Sequence, residues 1–151
     1  MALRKIIQLG DETLRKKSFS VDKITDKTIQ LLDDMKETLK KANGAGLAAV
    51  QVGVLRRIFV VDVDEGYFEF INPEMVSQKG EQYGVEGCLS VPGKWGDVKR
   101  PKEVVIKALD RNGKPFKIKA TDFFAKAICH EYDHLDGIIY VDKADNLRNE
   151  A

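Results

Sequence analysis

The chain has 151 residues, of which 43% are hydrophobic and 32% charged, a balance typical of one globular domain with an adequate core. Its formal net charge of +1 gives no electrostatic basis for binding nucleic acid or an anionic membrane. Its two cysteines do not make a disulfide framework and favour a reducing compartment.

The start of the chain shows no targeting signal. Residues 1–17 carry several charges and no long apolar core, so we expect neither a signal peptide nor a membrane span, and we expect the protein in the cytoplasm. No linker, repeat or low-complexity tract interrupts the sequence. We therefore predict a single domain over residues 1–151.

The first part of the chain predicts an extended segment followed by two helices. An extended segment from Ile6 to Leu9 leads into a short helix around Leu14. A longer amphipathic helix is predicted from Thr25 to Ala42, because apolar residues recur there every three or four positions. Its predicted buried stripe consists of Ile29, Leu32, Met35 and Leu39.

A stretch of small residues follows, from Gly44 to Gly53, and Gln51 is its one polar side chain. Small residues let a backbone come close to a ligand or to another strand, and a buried Gln needs a hydrogen-bond partner. A helix end that runs into a tight crossing would have the same composition. The stretch alone therefore does not decide between a binding site and a packing contact.

The middle of the chain predicts strands. They are expected at residues 57–63, 67–71, 74–83, 103–109 and 115–120. Asn72-Pro73 is expected to break the sheet, and residues 84–93 to leave regular pairing and offer free N–H groups. The turn at 110–113 predicts a hairpin.

The most informative motif is Cys-His-Glu-Tyr-Asp-His-Leu-Asp-Gly at residues 129–137. On a helix capped by Thr121 or Asp122, His130 and His134 lie one turn apart, where two imidazoles can bind one metal ion beside Glu131. The face that carries them is predicted to be buried. Its residues are Phe123, Ala127, His130, Glu131 and His134.

A catalytic metal site needs a third protein ligand. One class of zinc proteases places a histidine three residues after the motif's glycine, but Tyr140 occupies that position here. The remaining candidates are a cysteine or a carboxylate. Cys129 points about 100° away from His130 on the helix, so we favour Cys88.

Three stretches together resemble the signature motifs of the peptide deformylases, in the order of that family. They are residues 44–51, 86–90 and 130–134, and residues 6–17 are similar to the family's opening segment. The resemblance implies an α+β fold, with small antiparallel or mixed sheets packed around a central helix that carries the metal motif. It also implies removal of the N-formyl group from the starting methionine of new bacterial proteins, with release of formate.

The resemblance also assigns the site. The implied metal ligands are Cys88, His130 and His134, which would hold Fe(II) in the cell and could also hold zinc, nickel or cobalt. Glu131 is the implied general acid and base. Gln51 and the Leu89 amide are the implied oxyanion donors. This chemistry agrees with the residues, since a metal lowers the pKa of bound water to about 7 and the reaction oxygen needs hydrogen-bond donors.

The implied substrate is a nascent N-formylmethionyl peptide, added as a strand beside two backbone stretches. These stretches are Gly44, Ala45 and Gly46, and Glu86 and Gly87. Ala127 is expected in the wall of the methionine pocket. A transient ribosome contact is implied too, although residues 142–151 are too short for the long terminal helix of some members and are expected to be loose.

Two other functions stay open from the sequence alone, a zinc metalloprotease and a non-catalytic metal-binding module. The chain also departs from many deformylases at Cys129, where glutamine is common. Asp133 is expected either to orient a ligand or a buried basic residue, or to be a solvent-facing acid.

Overall fold

The computed structural model describes residues 2–149. Within them the chain forms two α-helices, α1 (Asp26–Ala42) and α2 (Asp122–His134). The strands are β1 (Gly46–Ala48), β2 (Ile58–Val63), β3 (Gly66–Lys79), β4 (Gln82–Cys88), β5 (Val91–Arg100), β6 (Glu103–Leu109), β7 (Pro115–Thr121) and β8 (Asp145–Asn149). Short 3₁₀ helices lie at Glu12–Arg15, Ala49–Val52 and Tyr140–Asp142.

The strands form two antiparallel sheets. The first has the order β1-β2-β3-β6-β7, and the second has the order β4-β5-β8. Helix α2 contacts strands of both sheets, so the helix with the histidine motif lies centrally. The predicted α+β fold is thereby confirmed. No helix in the described part of the chain is long and apolar enough to cross a membrane.

Strand β2 is buried on both faces and connects the helices to the core. Ile58 and Val60 face one way, whereas Phe59 and Val61 face the other, following the two-residue repeat of a strand. The first pair packs with Leu31, Leu32, Met35 and Leu39 of α1. The second pair packs with Phe124, Ala125 and Ile128 of α2. The first sheet is therefore held between the two helices.

Helix α1 matches its prediction closely. It begins after Thr25, whose backbone N–H donates to the Thr28 hydroxyl, and it ends at Asn43, a left-handed residue with φ 56°. Both features are ordinary helix ends. The buried stripe differs from the prediction at two positions, because Leu31 is buried and Ile29 is only half-buried.

Strand β3 runs through the position where the sequence predicted a break. Asn72 adopts a left-handed backbone with φ 51°, and the pairing with β6 shifts register between Ile71 and Glu74. The Asn72 side chain bonds the backbone N–H and carbonyl of Val21. Asn72-Pro73 therefore marks a bulge that anchors another segment, and the predicted break is wrong.

The predicted strand over residues 74–83 is also wrong. Strand β3 ends at Lys79, Gly80 turns with φ 67°, and β4 begins at Gln82. Most of residues 84–93 stay in the sheet, contrary to the prediction, because β4 continues to Cys88 and pairs with β5, and only Leu89 and Ser90 lie between the two strands. A register shift between Glu86 and Cys88 is the one irregularity of this pairing.

The end of the chain is ordered through residue 149, in contrast to the loose tail that we predicted. Strand β8 pairs with β5 and places Arg148 opposite Trp95. The last two predicted tail residues, 150 and 151, lie outside the described part of the chain. Strand β5 thus has neighbours on both sides, and no strand within residues 2–149 pairs with the other edge of β4.

Candidate metal centre

Helix α2 carries three side chains of the predicted site into the interior. His130 and His134 lie one turn apart, with ring centroids separated by 5.2 Å, and Glu131 lies between them in the sequence. All three are buried. The chain just after the helix is held by hydrogen bonds from the Ser18 N–H and the Arg57 guanidinium to the Leu135 carbonyl. These contacts fix the end of α2 from which His134 projects.

Cys88, at the end of β4, completes a group of three side chains that could hold a metal ion. Its Sγ lies 3.4 Å from His134 Nε2, and one donor atom from each of Cys88, His130 and His134 lies within 4.8 Å of the others. Tetrahedral zinc with ordinary bond lengths would hold sulfur and nitrogen about 3.6 Å apart. The Cys88–His134 distance is therefore close to that expected around a bound ion, and His130 lies near enough to join them.

The protonation state of His134 also fits a metal ligand. Burial and the neighbouring His130 lower the pKa of His134, so its imidazole is neutral, as a ligand must be. Burial raises the pKa of Cys129 to about 11, which keeps that thiol protonated. Cys129 is buried and outside the ligand group. The structure thus brings Cys88, and not Cys129, to the histidines.

Glu131 is buried beside this group. Its Oε2 lies 4.0 Å from His130 Nε2, and its Oε1 has no hydrogen-bond partner within residues 2–149. A buried carboxylate oxygen is normally bonded, so this oxygen is free to accept a bond from a ligand. Burial raises the pKa of Glu131 to about 7, which suits a group that accepts and returns a proton near neutral pH.

The buried ion pair of Glu86 and Arg100 orients the His130 ring through its Nδ1 atom. Glu86 Oε1 lies 2.9 Å from His130 Nδ1, and Arg100 binds both oxygens of Glu86. Burial opposes ionisation of Glu86, but the bonds from Arg100 and His130 prevail and lower its pKa to about 2. A carboxylate on Nδ1 leaves Nε2 for the metal.

Asp133 belongs to the same network. Its Oδ2 accepts from Arg100 at 2.7 Å and lies 3.0 Å from Lys143 Nζ. It thus pairs with a buried basic residue, one of the roles that we expected. The sequence did not predict Arg100 in this position, because its two partners lie 14 and 33 residues away in the chain.

Two hydrogen bonds fix the Gln51 side chain beside Cys88. Its Oε1 accepts from the Ala48 N–H at 2.9 Å, and its Nε2 donates to Ser90 Oγ at 3.0 Å. The same Nε2 lies 3.6 Å from Cys88 Sγ. The amide nitrogen therefore faces the ligand group. Ser90, which is buried, is a functional neighbour that the sequence analysis missed.

The group opens into a cavity of about 440 Å³. Its lining includes every residue predicted to bind substrate, namely Gly44, Ala45, Gly46, Glu86, Gly87 and Ala127, together with Leu89. Phe123 lines it too, but its side chain is 53% exposed, so our prediction of a buried Phe123 is wrong. Trp95 also lines the cavity and was not predicted to do so.

The comparisons with known proteins agree with this geometry. A sequence model of the polypeptide deformylase family matches residues 3–150. The chain belongs to the polypeptide deformylase family. A peptide deformylase of Caldicellulosiruptor bescii is 57% identical over 143 residues, which are 95% of this chain and 86% of that protein.

Two further relatives support the assignment. A peptide deformylase of Thermoanaerobacter pseudethanolicus is 51% identical over 150 residues, which are 99% of this chain and 94% of that protein. The crystal structure of a peptide deformylase from Legionella pneumophila superposes with a TM-score of 0.92 at 42% identity, covering 95% of this chain and 87% of that one. The likeness therefore extends over nearly the whole fold.

Membership in the polypeptide deformylase family confirms the predicted activity. The chain is a metal-dependent hydrolase that removes the N-formyl group from nascent polypeptides. This assignment favours a deformylase over the zinc metalloprotease and the non-catalytic module that the sequence alone had left open.

Proposed function

We propose that Cys88, His130 and His134 hold the metal of this deformylase and that Glu131 moves the proton. The supporting observation is the group of three donor atoms within 4.8 Å of one another, with a buried carboxylate beside it. When bound, the ion supplies a Lewis acid that lowers the pKa of water. Glu131 accepts the proton of the attacking water and later delivers it to the leaving amine of the methionine.

Gln51 and Leu89 are proposed to stabilise the oxygen of the formyl group as negative charge develops on it. The Gln51 amide nitrogen is held towards the ligand group by the Ala48 N–H and Ser90. Leu89 directly follows Cys88, so its backbone N–H lies next to the ligand sulfur along the chain. Donors fixed before the reaction need no reorganisation during it, which is the main source of such stabilisation.

The peptide is proposed to bind between two open strand edges. Strand β1 ends the first sheet, β4 ends the second, and both line the cavity through Gly46 and Gly87. A peptide that pairs with these backbones is held mainly by main-chain hydrogen bonds, which tolerate any sequence. Ala127 and His130 on α2 then form part of the wall around the methionine side chain.

We further propose Fe(II) as the metal in the cell, with zinc, nickel or cobalt as substitutes. One thiolate and two imidazoles suit each of these ions. Residues 1–151 are proposed to act as one catalytic domain, since α2 contacts both sheets. The proposed location of the protein is the cytoplasm. Its proposed partners are nascent N-formylmethionyl peptides, together with the ribosome in a transient contact. We propose that it does not bind nucleic acid.

The test is formate release from N-formyl-Met-Ala-Ser by protein prepared without oxygen and loaded with Fe(II). We expect release that stops on chelation and returns when metal is restored. The Glu131→Gln variant should keep its metal and lose turnover. Folded, fully metallated wild-type protein that releases no formate would contradict the proposal.

A further inference from the structure

The single tryptophan of the chain, Trp95, lies in the wall of the catalytic cavity. It belongs to β5 and lines the same cavity as Cys88, His130 and Glu131. Trp95 is 40% exposed, and it belongs to none of the three hydrophobic clusters formed within residues 2–149. A large aromatic ring in this position is therefore not explained by packing of the core.

The indole ring rests on the backbone of β4 at Gly87. A Cβ atom added to Gly87 would lie 2.7 Å from Trp95 Cζ3 and 2.9 Å from Cε3, so only glycine allows the ring to come this close. Gly87 directly precedes the proposed ligand Cys88. The ring thus flanks the stretch of main chain beside which the substrate is proposed to pair.

The strand that carries Trp95 is held in place on both sides. The Tyr140 hydroxyl donates to the Lys94 carbonyl at 3.0 Å, and Tyr140 is itself 1% exposed and stacked on His130. Trp95 itself, the residue after Lys94, pairs with Arg148 of β8. The ring is therefore presented from a fixed backbone, which lowers the entropy lost when a ligand contacts it.

We propose that Trp95 is a specificity-determining residue that contacts one of the two substrate residues after the methionine and favours an aromatic side chain there. This inference rests on the proposed function, in which the peptide pairs beside Gly87. Main-chain pairing alone cannot discriminate among these residues. An exposed ring adds discrimination, because aromatic pairs gain stability beyond the area that they bury.

The test compares three substrates, N-formyl-Met-Ala-Ala, N-formyl-Met-Phe-Ala and N-formyl-Met-Ala-Phe, by kcat/KM for formate release. We expect one of the phenylalanine peptides to exceed the alanine peptide by about two- to tenfold in the wild-type protein. The ratio should fall to about one in Trp95→Ala and be kept in part by Trp95→Phe. The matched control is Tyr83→Ala on β4, an exposed aromatic residue outside the cavity lining, which should keep the wild-type ratio.

A second measurement reports binding without turnover. Because Trp95 is the only tryptophan, emission excited at the red edge of the spectrum, where tyrosine does not absorb, comes from this ring alone in the metal-loaded protein. Titration with the product peptides Met-Phe-Ala, Met-Ala-Phe and Met-Ala-Ala should change that emission, and the preferred phenylalanine peptide should do so at the lowest concentration. Unchanged emission at concentrations that inhibit formate release would overturn the inference.

The two proposals fail in different ways. If wild-type protein releases formate from none of the three substrates, the proposed function is wrong. If it releases formate from all three but Trp95→Ala, Trp95→Phe and wild type share one ratio, the deformylase site stands and the role of Trp95 is wrong.

Discussion

Glu131 of α2 lies directly against Gly46 of β1. A Cβ atom added to Gly46 would lie 2.6 Å from Glu131 Oε2 and 2.8 Å from its Cγ. No side chain larger than hydrogen fits at this position without displacing the carboxylate or the strand. The glycine that opens strand β1 thus sets the position of the proposed proton carrier.

The substitution Gly46→Ala should therefore lower kcat with little loss of metal. The displaced carboxylate loses part of a contribution that is about 10²- to 10⁴-fold for general acid–base catalysis. Formate release and metal content would be measured on the same sample. Gly84→Ala is the control, because a Cβ there meets only Lys126 Nζ at 3.7 Å. Wild-type kcat in Gly46→Ala would show that the carboxylate position does not limit the reaction.

The two cysteines should differ in their effect on the metal. Cys88→Ala removes a proposed ligand, so we expect protein that no longer retains its ion through gel filtration. Cys129→Ala should keep one ion per chain, because this buried thiol lies outside the ligand group. Elemental analysis of both variants decides the matter. Equal metal content in the two would exclude Cys88 as the third ligand.

Arg100 should be needed for both stability and metal binding. The Arg100→Met substitution leaves the buried Glu86 without its cation, and breaking such a pair costs about 3–5 kcal/mol. A less well oriented His130 should bind metal about 10- to 100-fold more weakly. Urea unfolding and metal titration measure the two effects.

Lys143 provides the comparison for Arg100. Its side chain is 44% exposed, so Lys143→Met should cost no more than about 1 kcal/mol. If Lys143→Met lost as much unfolding free energy as Arg100→Met, the stability of the network would depend on the exposed Lys143 as much as on the buried Arg100.

Asp34 should contribute to stability against acid. It accepts hydrogen bonds from the Ala2 N–H, the Arg4 side chain and the Gln30 side chain. Burial opposes ionisation, but these bonds prevail and lower the pKa of Asp34 below its ordinary value of 3.8. A lowered pKa in the folded state gives stability that is present above the ordinary value and is lost as the pH falls through the folded value.

The measurement for Asp34 is the urea midpoint at about pH 6 and about pH 3. Asp34→Asn should be less stable than wild type at the higher pH, and the difference should shrink at the lower pH. A difference that stays the same at both values would mean that the charge of Asp34 is not the cause.

The sequence predicted the parts of the site that lie close together along the chain. His130, Glu131 and His134 fall within five residues on one helix, so helical geometry alone relates them. Glu86, Arg100 and Asp133 come from β4, β5 and α2, and no local pattern links them. Their pairing becomes visible only when the second sheet packs against the helix.

The errors in the predicted fold have a similar origin. Gly93 and Gly96 lower the strand propensity of β5 in the sequence. The strand is stabilised instead by its pairing with β4 and β8. Asn72-Pro73 indicated a break because the sequence could not show that Val21 would bond to the Asn72 side chain. Phe123 fits the apolar face of α2, yet it is exposed and lines the cavity.

The shortness of β1 limits the main-chain pairing that we propose for the substrate. The strand has three residues, so a peptide that pairs with it gains few main-chain hydrogen bonds, each worth about 0.5–1.5 kcal/mol. Under this proposal the few bonds align the first residues of a growing polypeptide and break readily once formate is lost. One enzyme molecule can then move from one emerging chain to the next.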